Sequence, residues 1–102
     1  ENEKLSLELT SHDLINMIRG LSLTPGGYFL FLNQKLKVYR AHQVNALVNA
    51  PIGALVSVSK ELIFQAKDGQ IAIDLLQMEG KKTMEAKAFL NGAHLNVGEL
   101  LY

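Results

Sequence analysis

The stretch that most limits how this chain folds is residues 70–92, Gln-Ile-Ala-Ile-Asp-Leu-Leu-Gln-Met-Glu-Gly-Lys-Lys-Thr-Met-Glu-Ala-Lys-Ala-Phe-Leu-Asn-Gly. Ile71, Ile73 and Leu75 alternate with Ala72, Asp74 and Leu76, the period-2 pattern of a pleated strand. Leu76 breaks the alternation, so the second face is half covered. Glu79-Gly80-Lys81-Lys82 is a polar turn. Thr83 is placed to cap a helix whose body runs from Met84 to Leu90, with Ala86, Phe89 and Leu90 on one side. Gly92 suits a left-handed residue just past the helix end. So short a helix is marginal alone and must pack on the sheet.

Upstream, Glu1 to Leu9 alternates loosely and is acidic, either an edge strand or a linker remnant. Thr10 reads as an N-cap with Asp13 three residues on, a weak capping box. Leu14, Ile15, Ile18 and Leu21 mark the buried face of the helix that follows, which ends near Gly20 to Ser22. Pro25-Gly26-Gly27 is a turn, and it lacks the context of a phosphate-binding glycine loop. Tyr28–Leu32 and Leu36–Ala41 read as strands joined at Asn33-Gln34, and residues 42–50 as strand or loop. Pro51-Ile52-Gly53 is a turn, Ala54–Ser59 a strand, Lys60-Glu61 a turn and Leu62–Ala66 a strand. Lys67-Asp68-Gly69 is a strong hairpin signal before the strand from Gln70. Five or six short strands, tight turns and two short helices predict a small barrel.

A chain of 102 residues is one small domain, residues 1–102, with residues 1–9 open to being a linker remnant. It begins at Glu1 without a Met, which leaves it open to being a piece excised from a longer protein. An apolar fraction of 48% is ordinary for a globular chain, and no run approaches the roughly 18 apolar residues of a membrane span. No basic-then-apolar leader is present. The absence of cysteine excludes disulfides and thiolate chemistry and fits a reducing, cytoplasmic setting.

Net charge is zero, but its distribution is uneven. No acid lies between Asp13 and Glu61, while Arg19, Lys35, Lys37, Arg40 and Lys60 all do, so that segment carries +5. Such asymmetry bears on partners rather than on fold. His12, His42 and His94 form no metal motif, so no metal is expected. Asp74 has no second carboxylate or His near it in sequence for acid–base work, and reads as a solvated or capping residue. Ser57, Ser59 and Thr83 lack a nucleophile-elbow context.

Four blocks in order carry a family resemblance. They are Ile18-Arg19-Gly20-Leu21-Ser22 with Pro25-Gly26, then Leu36-Lys37-Val38-Tyr39-Arg40-Ala41, then Leu75 to Met84, then Phe89-Leu90-Asn91-Gly92. Together they resemble the C-terminal domain of methionyl-tRNA formyltransferases. Leu23-Thr24 and Met78 depart from the family pattern, and neither touches a basic residue. The resemblance implies a mainly β, OB-fold-like barrel of five to six strands, with an N-terminal helix and a short C-terminal helix. It implies that this chain helps bind initiator Met-tRNA for an N-terminal catalytic formyltransferase domain that uses 10-formyltetrahydrofolate. No catalytic residue of that family falls in this chain, so the chain alone is expected not to be an enzyme. The same module accompanies other 10-formyltetrahydrofolate-dependent formyltransferases without binding RNA, which is the alternative.

The candidate RNA contacts are Arg19, Lys35, Lys37, Arg40, Lys60, Lys81 and Lys82. Lys35 and Lys37 share a strand face, and Arg40 falls on the other unless a bulge intervenes. Exposed alternating lysines also protect a sheet edge, and Arg19 also complements a helix dipole. Tyr39 is a candidate stacking platform, whereas Phe29 and Phe31 are expected in the core.

Overall fold

The computed structural model describes residues 4–21, 26–46 and 49–102. Residues 1–3, Ser22 at the expected helix end, Leu23-Thr24, Pro25 of the expected turn, and residues 47 and 48 lie outside them.

The first helix, α1, spans Ser11–Leu21. Thr10 caps it as expected, its Oγ1 accepting the Asp13 N–H at 3.2 Å. Leu14 and Ile18 are buried, one helical turn apart. Strands β1 (Gly27–Phe31) and β2 (Gln34–Val44) form a hairpin. Its two-residue connection is Leu32-Asn33 rather than Asn33-Gln34, with φ of 52° and 65°. Two consecutive positive φ values match the twist that a tight hairpin needs. β2 runs on through His42 to Val44 because the nine-residue strand β5 (Gln70–Met78) pairs along it, from Leu36↔Met78 to Val44↔Gln70.

Between them in sequence lie β3 (Leu55–Ser57) and β4 (Leu62–Gln65). The sheet runs β1-β2-β5-β4-β3, and a short strand β6 (Met84–Glu85) pairs with Leu75 and Leu76 of β5. All of these pairings are antiparallel. This is the expected architecture: a mainly β, curled half-barrel with a helix before it and a short helix after.

Two local expectations near the C-terminus fail. Thr83 does not cap the second helix: β6 comes first, and α2 starts at Ala86 with Glu85 as an N-cap that makes no side-chain hydrogen bond. β4 pairs only with Gln70 to Ile73 of β5, so the edge beyond it takes Met84 and Glu85 as a strand. Gly92 is the last residue of α2, not a left-handed residue beyond it, and the C-cap is Ala93 at φ −101°.

The last residues join the two ends of the sheet. Leu30 of β1 exchanges both main-chain hydrogen bonds with Tyr102, at 2.8 and 2.9 Å. Leu55 of β3 does the same with Glu99 and Gly98, and the Leu101 N–H reaches the Gly53 carbonyl, each at 2.8 Å. Gly53 is required there: its φ is +91°, and a Cβ would stand 2.6 Å from the Leu101 carbonyl oxygen. Exposed sheet edges invite pairing with other chains, and this tail occupies both.

The core lies inside the curl. Phe29 and Phe64 meet edge to face with centroids 5.1 Å apart, and Leu5, Leu14, Ile18, Val38, Ile71 and Leu101 pack around them. The buried Gln65 donates to the carbonyls of Ala66 and Gly69, both at 2.9 Å, and accepts from Asn49 and Gln70, so its amide is satisfied.

Candidate nucleic-acid interface

β2 and β5 change which residues they turn inward part-way along. Leu36 and Val38 face the core at one end of β2, and Ala41 packs against it at the other. On β5 the inward residues pass from Ile71 and Ile73 to Leu76. The register shifts at Val38/Arg40 and again at Arg40/Ala41. A bulge of this kind bends the strand and re-aims a side chain. Arg40 is thereby exposed, where strict alternation would have put it on the core side.

The seven candidate cations fall into three places. Lys35 and Lys37 stand on the outer face of β2, opposite Leu30 and Tyr28 of β1, with Lys37 also opposite Gln77 of β5. The Lys35 ammonium lies 4.8 Å from the Tyr28 ring centroid, a cation–π contact that holds it over the sheet. The Glu79 carboxylate accepts the Lys35 main-chain N–H at 2.9 Å. Lys81 and Lys82 are exposed in the β5–β6 turn, which Gln77 braces by donating to the Lys81 carbonyl at 2.8 Å. This turn and the Lys35–Lys37 face are therefore linked through Gln77.

Tyr39 belongs to the same network. Its hydroxyl donates to Gln77 Oε1 at 2.7 Å, and its ring edge lies against Gly26, where a Cβ would come within 2.7 Å. Phe29 and Phe31 are core residues, 0% and 2% exposed, as expected.

Arg40 and Lys60 belong elsewhere, to an open groove of about 350 Å³ with Glu61, Asp74, Glu85 and Lys87 around it and Ala72 and Ala86 in its lining. Arg19 is exposed in the last turn of α1.

One pair escaped sequence reasoning. His42 Nδ1 lies 2.8 Å from Asp74 Oδ2, with the side chains 51% and 32% exposed. They are 32 residues apart, and only the β2–β5 register brings them together. No local signal in the sequence announces it. A second groove of about 400 Å³, between α2 and the β1–β2 hairpin, is apolar, with Phe31, Met78, Met84 and Phe89 in its lining and Lys81 and His94 beside them. Among the described residues no group of three His, Cys, Asp or Glu is placed to hold a metal ion.

A curled β module with an N-terminal helix and an outer lysine face defines the class, and comparison with known proteins places it. Residues 1–94 match the family described as formyl transferase, C-terminal domain, and the chain belongs to that family. It is 37% identical over 103 residues to the methionyl-tRNA formyltransferase of Bacillus subtilis (strain 168), covering 99% of this chain and 32% of that protein. It is 35% identical over 103 residues to the methionyl-tRNA formyltransferase of Malacoplasma penetrans (strain HF-2), with the same two coverages, 99% and 32%. The chain thus spans about a third of the length of the curated relatives it matches. A crystal structure of a HypX variant from Aquifex aeolicus shares the fold, at a TM-score of 0.65 and 14% identity over 92% of this chain and 18% of that one.

Proposed function

We propose that this chain is the RNA-binding accessory domain of a methionyl-tRNA formyltransferase. In this reading it helps hold initiator Met-tRNA in the cytoplasm for N-formylation by a separate, N-terminal catalytic domain during translation initiation. The observation that carries the reading is the outer face of β2, where Lys35 is held over Tyr28 and Lys37 stands beside it, next to the turn with Lys81 and Lys82. Lysines fixed on a sheet face suit phosphate contact, which contributes affinity more than sequence choice. The names of the relatives support the choice of RNA.

In this reading 10-formyltetrahydrofolate belongs to the catalytic domain. The charged groove is a poor match for it, because its three cations are balanced by Glu61, Asp74 and Glu85 and leave no net positive charge for the cofactor's acidic tail. The apolar groove does not fit it either, because its lining holds no acid for the amino edge of the pteridine.

The test is direct binding of labelled initiator tRNA to this chain across a range of salt. Binding that weakens steeply with salt supports the reading. No binding at low salt favours a structural domain of another 10-formyltetrahydrofolate-dependent formyltransferase instead.

A further inference from the structure

The charged groove behaves differently from the lysine face. Arg40 of β2, Asp74 of β5, Glu85 and Lys87 at the β6–α2 junction, and Lys60 and Glu61 of the β3–β4 turn converge on it from separate elements. Three cations and three carboxylates make it neutral overall. Among the described residues these six form no ion pair with one another; the one carboxylate engaged is Asp74, whose Oδ2 meets His42 at 2.8 Å. Its Oδ1 is left for another partner. With its charges balanced, the groove has no excess of cations to draw in the phosphate backbone of a nucleic acid, unlike the lysine face. It suits a neutral ligand with hydrogen-bond acceptors on one edge and donors on another.

Among nucleobases, guanine has that pattern. Its O6 and N7 accept, which matches an arginine fork. Its N1 and N2 hydrogens donate, which matches carboxylates. Unpaired RNA bases are commonly read on these edges by side chains of this kind. Ala72 and Ala86, small and buried, are the apolar alanines of its lining.

We propose that this groove reads an unpaired guanine, with Arg40 toward O6 and N7, and Asp74 and Glu85 toward N1 and N2. The assignment rests on the RNA-binding reading and deepens it: Lys35 and Lys37 hold phosphates, whereas Arg40 and Lys60 belong to a base site.

The experiment titrates the isotope-labelled chain with guanosine, a nucleoside without phosphate, and follows main-chain amide signals. The expected result is movement of the Ala72–Asp74 and Glu85–Lys87 signals. Inosine, which lacks the N2 amino group, and 7-deazaguanosine, which lacks N7, should each bind roughly fivefold more weakly or worse. Arg40→Gln should weaken guanosine by a similar factor, with the remaining spectrum showing an intact fold. Lys67→Ala, in the exposed β4–β5 turn and outside both sites, should leave guanosine binding unchanged. Absence of shifts at these amides with millimolar guanosine, or equal binding of uridine, overturns the proposal. Because no phosphate is involved, that failure is separate from a failure to bind tRNA: guanosine binding without tRNA binding would uphold the base site and remove the RNA reading.

Discussion

The Asp68 carboxylate accepts the main-chain N–H of Ser11 at 2.8 Å, across 57 residues of sequence. Ser11 is the first residue of α1, where main-chain N–H groups lack intrahelical partners. The tip of the β4–β5 hairpin thus supplies a helix cap from a distance, beside the local one from Thr10. Gln43 of β2 completes the junction by donating to Ser11 Oγ at 2.7 Å.

A pH dependence follows. The Ser11 main-chain hydrogen bond is the chief cause holding the Asp68 carboxyl below its ordinary value of 3.8. A carboxyl depressed on folding contributes stability that is fully present above its unfolded value. That contribution fades as pH falls through the lower, folded value. Asp68→Asn should therefore lower the melting temperature at pH 7 and flatten the loss of stability below about pH 4. Melting curves from pH 2 to 7 for both proteins test this. Parallel curves would remove the ion from the cap.

The lysine face makes a salt prediction. If Lys35, Lys37, Lys81 and Lys82 each neutralise a phosphate, the log–log salt slope of tRNA binding should be roughly −3 to −4. Changing Lys35 and Lys37 together to Ala should reduce its magnitude by about 1.5 to 2. Lys67→Ala, in the exposed turn beside Asp68, should change little. Phosphate contacts are largely independent of sequence, so initiator and elongator tRNAs should share this dependence. Fluorescence titrations at several salt concentrations decide the matter, and an unchanged slope in the double variant would move RNA binding off this face.

The β1–β2 turn is strained by its own sequence. Leu32 has φ 52° and is 65% exposed, so its side chain contributes little burial to offset a left-handed backbone. The residues preferred at such a pair are Asn and Gly. Replacing Leu32-Asn33 by Asn-Gly should stabilise the domain by about 0.5 to 2 kcal/mol. Chemical denaturation reads this directly, and a fall in the midpoint would show that Leu32 packs usefully.

These elements also show where the sequence was legible. Periodicity found α1 with its Leu14 and Ile18 and the β5 strand, because burial imposes a repeat on neighbouring residues, and turn-forming residues found the Lys67-Asp68-Gly69 hairpin. Thr83 misled because capping propensity is a local preference, and the open edge of β5 competed for Met84 and Glu85. The exposure of Arg40 depends on a bulge with no glycine to signal it. The His42–Asp74 and Ser11–Asp68 pairs join residues 32 and 57 positions apart, beyond any local pattern. The seven candidate cations could be picked out as residues, but their division between a lysine face, a charged groove and α1 needed the sheet order.

The C-terminal tail should be essential to the fold. Leu101 is 1% exposed within the core, and its main-chain N–H bonds Gly53, while Tyr102 pairs with Leu30 on the opposite edge of the sheet. Leu101→Ala removes buried methyl groups and leaves a cavity, which costs about 2 to 5 kcal/mol. Domains of this size have only about 5 to 15 kcal/mol in total, so the variant should unfold at markedly lower urea. At a slope of roughly 1 to 3 kcal/mol per molar urea, the midpoint should fall by about 1 M or more. Gly53→Ala should act in the same direction, since it strains the φ of +91° and drives a methyl into the Leu101 carbonyl. Removing residues 98–102 uncovers β1 and β3 together, so that protein should self-associate on size-exclusion chromatography as well as lose stability. A truncated chain that stayed monomeric with the parent urea midpoint would show that the curled sheet holds without its C-terminal segment.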